Sequence, residues 1–492
     1  VFENGGYIYK LDLNSHKYEK VNIQIKEDFS SGRSKWIQAK DYITSYDISP
    51  DGNRMCLSAR GELFTAPAKN GPIRNLSGTS GVHERNVSWS PDGSNLAFIA
   101  DYTGEDEVYI KKADGSEKPV PLTENSKCYK YNPVWSPDGT KVIYSDRNQK
   151  VFLIDVKSRK ESLIFSSEVF EIRDYKWSPD SKYICYTNPV RKGNSVINIF
   201  SVEDKKNITV TEPWFDSYQP AFSSDGKYLY FVSQRTFNPS YNNLEWNHAY
   251  FDLAKIYLIT LKKDVANPFA PKSDEAAVRD LSSIKEKEES GLKKDQGSKS
   301  FTQSDSLKSK KVGIDFEGIL DRTVELPLSA GNYWNLIGLE DKVYYFRSSL
   351  KEGPKMCYYD LKGQKETELG EKINNFMVSA DLKKMLLQSA GRYFIIDIPS
   401  SKVNLDNALN LDELKANVNR SEEWRQIYFE CWRQMRDFFY DPGMHGVDWE
   451  KVKNKYSELL PYVNHRIDLT YIIGEMIGEL NCGHAYVGGG DY

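Results

Sequence analysis

Cysteine is scarce and scattered in this 492-residue chain: six occur, Cys56, Cys128, Cys185, Cys357, Cys431 and Cys482, and no two form a Cys-x-x-Cys pair. Buried free thiols are expected, and neither a disulfide framework nor a zinc site fits that spacing. Long apolar runs are missing: none approaches the roughly 18 residues of a membrane-spanning helix, so no membrane partner is expected. An excess of one charge is missing too. Lys and Arg number 66 against 70 Asp and Glu, a net charge of −4, whereas a nucleic-acid surface needs a basic excess on one face. No signal peptide is visible. Val1–Tyr7 reads as the interior of a domain, so the natural start is expected upstream and a lost leader stays compatible with secretion. A Gly-x-Ser-x-Gly nucleophile elbow is absent, and so is the helix–strand repeat of a hydrolase domain that would carry it. Nothing calls for a cofactor or a metal.

What the chain has is aromatic, turn-rich sequence, with 32 Tyr, 22 Phe and 10 Trp, a composition that favours strands. A short motif recurs in it. Ser49-Pro50-Asp51-Gly52, Ser90-Pro91-Asp92-Gly93, Ser136-Pro137-Asp138-Gly139, Ser178-Pro179-Asp180-Ser181 and Ser223-Ser224-Asp225-Gly226 are spaced 41, 46, 42 and 45 residues apart. A degenerate copy stands at Ser379-Ala380-Asp381-Leu382. The period is that of a four-stranded propeller blade. The local chemistry is that of a turn: Pro presets φ, Asp bonds to the backbone ahead, and Gly accepts a positive φ. An aromatic residue precedes several copies (Trp89, Trp135, Trp177, Phe222), and an apolar strand follows each.

Asn332–Ile337 and Lys342–Phe346 supply a further blade without the motif, and Gly338 to Ser379 is again 41 residues. The count is then seven. Gly6–Leu11 is too short for a blade and is expected to lend a strand to the last one, closing the ring. Residues 262–311 are dense in Lys, Glu, Asp and Ser, with Phe269 and Phe301 their only aromatics, and read as a mobile insertion. The fold class is mainly β: a seven-bladed β-propeller over residues 1–405, followed by a small helical subdomain over 415–492. Propellers bind, scaffold and catalyse alike, so the fold does not name a function.

The helical tail follows from periodicity. Trp424, Ile427, Tyr428, Cys431, Met435, Phe438 and Phe439 lie at helical spacing, with Asn419 or Ser421 as the cap and Asp441-Pro442-Gly443 as the stop. A second helix opens at Asp448 and buries Trp449, Val452, Tyr456 and Leu459. A third is capped by Asp468 and carries Leu469, Ile472, Ile473, Met476, Ile477 and Leu480. Gly483 then falls where a helix ends through a left-handed residue, and an extended Ala485-Tyr486-Val487 follows His484. His484 reads in two ways: as a general base near the negative end of a helix dipole, or as a residue capping that helix end. His445 and His465, on loops or at a helix start, are expected to bond locally. Asp441, Asp448 and Asp468 read as caps or turn residues.

These residues resemble the tricorn protease family over essentially the whole length. The resemblance is carried by Ser240–Trp246, Asn267–Glu275, Ile314–Ile319 with Asp321 and Arg322, and Leu328–Tyr333. It is strongest in Phe438–Pro442, Met444–Trp449, and Gly478–Asn481 leading into His484-Ala485-Tyr486-Val487. It implies that this chain is the seven-bladed propeller and first catalytic subdomain of a serine peptidase, with His484 as the catalytic histidine. The nucleophilic serine and oxyanion donors would lie in polypeptide beyond these residues, which predicts no hydrolysis by the 492 residues alone. The family usually has Ser before that histidine, where this chain has Gly483. The resemblance further implies oligopeptide substrates, a hexameric ring and a cytoplasmic setting, with the periplasm left open. The alternative is a non-catalytic propeller that binds peptides or a protein partner.

Overall fold

The computed structural model describes residues 1–191, 193–237, 239–241, 248–271 and 311–491. Six four-stranded antiparallel sheets and one three-stranded sheet follow one another along the chain, which makes seven blades. Blade 1 runs from Ile43 to Asn75, blade 2 from Arg85 to Pro121, blade 3 from Lys130 to Ser166 and blade 4 from Tyr175 to Thr209. Blade 5 runs from Ser217 to Glu325, blade 6 from Asn332 to Glu371 and blade 7 from Asn375 to Asp397. The insertion interrupts blade 5 before its outermost strand, Thr323–Glu325. Of residues 262–311, the stretch 272–310 lies outside the described residues. Before it, Phe269 packs edge-on against Tyr359, and the Pro268 carbonyl accepts a bond from Gln364 at 3.3 Å.

Each Ser-x-Asp motif is a closed hydrogen-bonded turn at the inner edge of its blade. In all six the serine hydroxyl donates to the aspartate at 2.5–2.7 Å. The same hydroxyl accepts the backbone N–H five residues on, at 2.9 Å, where the second strand begins. The serines are buried. This explains the recurrence of Ser, which turn propensity alone does not. A buried hydroxyl with a full complement of partners ties strand to turn, and its loss leaves a backbone donor unpaired. The position of Gly takes φ near +70°, and Ser181 and Leu382 adopt the same left-handed conformation where Gly is missing. Blade 6 has Gly338 in place of the serine. A Cβ there would come within 2.9 Å of Ser223 and Tyr230, so only glycine permits the close approach to blade 5.

The ring closes in a way the sequence does not announce. The strand Tyr7–Leu11 joins no blade; it pairs with Phe2–Asn4 and Tyr18–Lys20 in a separate meander. That meander rests on the helical tail, with Tyr7 against its apolar cluster and Gly6 beside Leu459. Blades 7 and 1 instead meet by direct packing. The Tyr46 and Tyr393 rings stand edge to face, Asn375 donates to the Tyr46 hydroxyl at 3.0 Å, and Asp381 N–H donates to the Pro50 carbonyl at 3.1 Å. The seam is covered by a two-stranded ribbon of Lys35–Gln38 and Lys415–Val418, whose Ala416 and Val418 share a core with both blades.

The tail has three α-helices: α1 (Arg420–Phe438), α2 (Trp449–Ser457) and α3 (Arg466–Gly478). Trp424, Tyr428 and Trp432 of α1 are buried against α2 and α3. Trp432 and Trp449 donate their indole N–H groups to each other's carbonyls at 2.8 and 3.1 Å. Burying each such ring contributes ~1.5–3 kcal/mol. Asp448 caps α2 by accepting from Lys451, as its position predicts. The cap of α3 is His465 rather than Asp468, which completes a capping box from the third helical position. Among the described residues no helix is long and apolar enough to cross a membrane.

The opposite face of α1 is charged and docks on the propeller. Arg433 pairs with Asp101 and also donates to the Gly104 carbonyl. Glu430 holds His83 at 2.7 Å, Arg436 grips Glu105, and Glu423 meets Arg60. Phe438 completes the contact edge-on against Tyr129.

Candidate functional site

His484 sits on an exposed turn just past α3. The left-handed residue that ends the helical path is Asn481, not Gly483, and His484 is itself left-handed with φ 61°. The reason is local: α3 finishes at Gly478 and Leu480 N–H still bonds back to Ile477, so reversal falls one residue later. No strand forms over 485–487; Val487 folds back onto the helical core instead. Tyr486 stands beside the imidazole, its hydroxyl 3.5 Å from Nδ1. A Cβ on Gly483 would meet nothing within 4 Å.

The segment after His484 is tied down at its far end. Asp491 bonds Tyr42 at 3.0 Å, Arg60 at 2.7 Å and Arg420 at 3.2 Å, so propeller and helical tail grip it together. Burial opposes ionisation of Asp491, but these partners, Arg60 first, hold its pKa down to about 2. Gly490 passes over Arg466 so closely that a Cβ would lie 2.6 Å from the guanidinium.

The other histidines of the tail are locally engaged. His445 bonds the Leu480 carbonyl through Nδ1 at 2.8 Å and the Tyr440 hydroxyl through Nε2. This places it beside the stretch leading to His484, as a brace for that stretch. His465 is at the other end of α3. Asp441 accepts two backbone N–H groups in its turn. Among the described residues no three His, Cys, Asp or Glu side chains gather in a way that could hold a metal ion.

The second candidate is the propeller axis. A cavity of about 1000 Å³ is lined by all seven blades. Stacking the repeats explains its walls. The residue before each turn serine forms one ring: Ile48, Trp89, Trp135, Trp177, Phe222, Ile337 and Val378. The residue one position earlier forms another: Asp47, Ser88, Val134, Lys176, Ala221, Leu336 and Met377. In blades 2, 3, 5 and 6 the innermost strand bulges just upstream of these positions, whereas in blades 4 and 7 it pairs without a shift. In the sequence the aromatic members of the first ring show only as residues preceding a turn. The second ring does not show there, although counting back from each serine finds it.

Two members of that second ring carry charge. Asp47 accepts N–H bonds from Ile48 at 2.8 Å and Trp89 at 2.7 Å, and burial pushes its pKa up to about 6. Lys176 donates to the Leu336 carbonyl at 2.7 Å.

Comparison with known proteins agrees with this geometry. A family model described as "Tricorn protease second beta propeller domain" matches residues 43–399, and one described as "Tricorn protease C1 domain" matches 420–478. The "Tricorn protease homolog" of Saccharolobus solfataricus is 26% identical over all of this chain and 43% of its own length. The "Putative Tricorn-like protease C-terminal subunit" of Sulfurisphaera tokodaii is 25% identical over 99% of this chain and 53% of its own. The "Tricorn protease homolog 1" of Streptomyces coelicolor is 26% identical over 99% and 46%. The crystal structure of the tricorn protease superposes with a TM-score of 0.77 at 20% identity, covering 99% of this chain and 45% of that one. The chain spans about half the length of the curated relatives it matches.

Proposed function

This chain belongs to the tricorn protease family, and on that premise we propose that it supplies the propeller and the base-bearing subdomain of a serine peptidase acting on oligopeptides. The reading rests chiefly on one observation: the second-propeller and C1 matches occur in order on one chain, with His484 exposed just past the second. In this reading the propeller unit ends near residue 405 and the helical unit begins near 415. His484 is the general base. A serine outside these 492 residues is the nucleophile, since a hydroxyl attacks a peptide carbonyl only when an imidazole takes its proton. Exposure of the imidazole suits it to meet a second surface, and the anchored Asp491 limits where the turn can go.

The reading includes four finer points. The 492-residue chain by itself does not turn over peptides, because a base without nucleophile and oxyanion donors forfeits most rate enhancement. Gly483 leaves the imidazole without a neighbouring hydroxyl, and its open surroundings accommodate Gly483→Ser. The propeller axis channels or gates substrate. The assembly is a homo-oligomer, hexameric by family resemblance, in the cytoplasm.

The test uses the longer natural protein and short chromogenic peptides. Hydrolysis is expected, and His484→Ala is expected to lower kcat by at least a thousandfold with KM little changed. Full activity in that variant would remove His484 from the chemistry. A second reading, a non-catalytic peptide-binding propeller, is favoured by the fact that the axial cavity is complete within this chain. It is upheld if the longer protein binds peptides and cleaves none.

A further inference from the structure

The seven blades serve as an internal comparison for one unusual residue. At the position two before each turn serine, five blades carry Ser88, Val134, Ala221, Leu336 and Met377, side chains of different size and no charge. The blade architecture therefore has no need of a cation there. Asp47, the anion of the ring, has a structural account, because its carboxylate caps two backbone N–H groups of blades 1 and 2. Lys176 bonds a single backbone group. Its ammonium satisfies no buried acceptor on its own blade and instead reaches from blade 4 past blade 5 to the Leu336 carbonyl of blade 6. A side chain that spans two blades this way lies across the axial cavity.

Lys176 is also the only cation among the described residues lining the cavity. Burying an ammonium is costly unless it is paired. One of its three protons goes to Leu336. The carboxylate that acts on it most strongly is Asp174, whose Oδ2 is already bonded by the Thr187 hydroxyl at 2.6 Å and the Gln219 N–H at 2.8 Å. Burial holds the lysine below its usual pKa, with Asp174 only partly opposing that. The ammonium thus has one bonded acceptor, in a cavity whose wall carries Trp135 and Trp177 together with Asp47, Asp138 and Glu340.

We propose that Lys176 is a binding residue for the free α-carboxylate of short peptides ending in an apolar residue, which enter the propeller axis carboxylate first. The carboxylate takes the ammonium protons not given to Leu336, and the last side chain rests on the ring containing Trp135 and Trp177. A lumen of about 1000 Å³ holds a short peptide. The site deepens the peptide-channelling reading and rests on it, but it lies wholly within this chain and can be tested without hydrolysis.

The experiment measures binding to the 492-residue protein by calorimetry and by quenching of the lumen tryptophans. The probes are an N-acetylated pentapeptide ending in phenylalanine, its C-terminal amide, and an amide carrying one internal glutamate. The free acid is expected to bind at least tenfold more tightly than the amide. That preference should fall below twofold in Lys176→Met and persist in Lys176→Arg, with circular dichroism verifying the fold of both variants. Equal binding of acid and amide, no binding of either at millimolar peptide, or an undiminished preference in Lys176→Met overturns the proposal. An internal-glutamate amide that binds as well as the free acid reassigns the site to side-chain carboxylates and overturns the α-carboxylate claim. Loss of hydrolysis in the longer protein bears on the peptidase reading and leaves this binding result standing.

Discussion

Replacing Arg433 by Met should loosen the helical tail from the propeller by about 3 kcal/mol. Arg433 and Asp101 are an ion pair with side chains 7% and 4% exposed. Removing one member of such a pair leaves a bare buried charge and typically costs ~3–5 kcal/mol. One feature sets the expectation at the low end. Asp101 keeps two donors after the change, His83 N–H at 2.7 Å and Gln426 Nε2 at 3.1 Å. Against that, the bond from Arg433 to the Gly104 carbonyl is also lost, a net ~1 kcal/mol. Hydrogen exchange read by mass spectrometry on peptides of α1 gives the local opening free energy directly. A loss of about 3 kcal/mol appears as roughly hundredfold faster exchange. Asp101→Asn should cost a similar amount, and the double variant should cost less than the sum by at least about 2 kcal/mol, since both charges then leave together. An acceleration below about fivefold in Arg433→Met, or strict additivity in the cycle, would show that the docking is held by something other than this pair.

Three further outcomes are expected. His83 gives the docked interface a pH dependence. Burial by itself lowers its pKa, but the charge and hydrogen bond of Glu430 outweigh that and raise it above 6.5, while Glu430 is held well below 4.5 in spite of its own burial, His83 first among the causes. The histidine's contribution is complete below about pH 6.5 and is lost as pH rises through its higher folded value, whereas that of Glu430 is complete above about pH 4.5 and lost as pH falls through its depressed one. Opening of α1 should be slowest between those values and His83→Gln should abolish the alkaline decline; an unchanged decline in that variant would assign it to another group. In the propeller, Ser136→Ala should cost about 1–3 kcal/mol in urea unfolding because the Lys141 N–H loses a buried acceptor, while Leu382→Gly should gain about 0.5 kcal/mol by relieving a left-handed leucine. Equal and opposite signs to these would mean that the turns are not what ties strand to strand.

Much of the scaffold was legible because the interactions that build it are short in sequence. The Ser-x-Asp turns close within five residues, so a period of 41–46 residues reported both the blade and the number of blades. Asp448 and Asp441 were readable as cap and turn for the same reason. His465 was placed at a helix start and bonds locally, but which of His465 and Asp468 is the cap depends on a backbone difference too fine for pattern to separate. The candidate site was legible only in part. His484 stood out by position, and the structure leaves it exposed, but the chain before it reverses at Asn481, two residues ahead of Gly483, where the Leu480 and Asn481 N–H groups close on Ile477 and Gly478. The lumen tryptophans were noticed as neighbours of a turn and not as a wall.

The amino-acid order by itself determined the repeat, the turn chemistry, the three helices and the family, since each is written in residues no more than a few places apart or in a regular period. Tertiary structure alone decided which elements meet. It set the meander of Tyr7–Leu11 on the helical tail rather than in the last blade, turned the charged face of α1 onto blade 2 through a pair 332 residues apart in sequence, and laid Lys176 across the axis to blade 6. A charge carries no mark of its distant partner in the chain, because attraction and desolvation depend on what surrounds it in space. Folding brings the blades round the axis, and only then does one lysine among six neutral or acidic counterparts become the cation of the axial cavity.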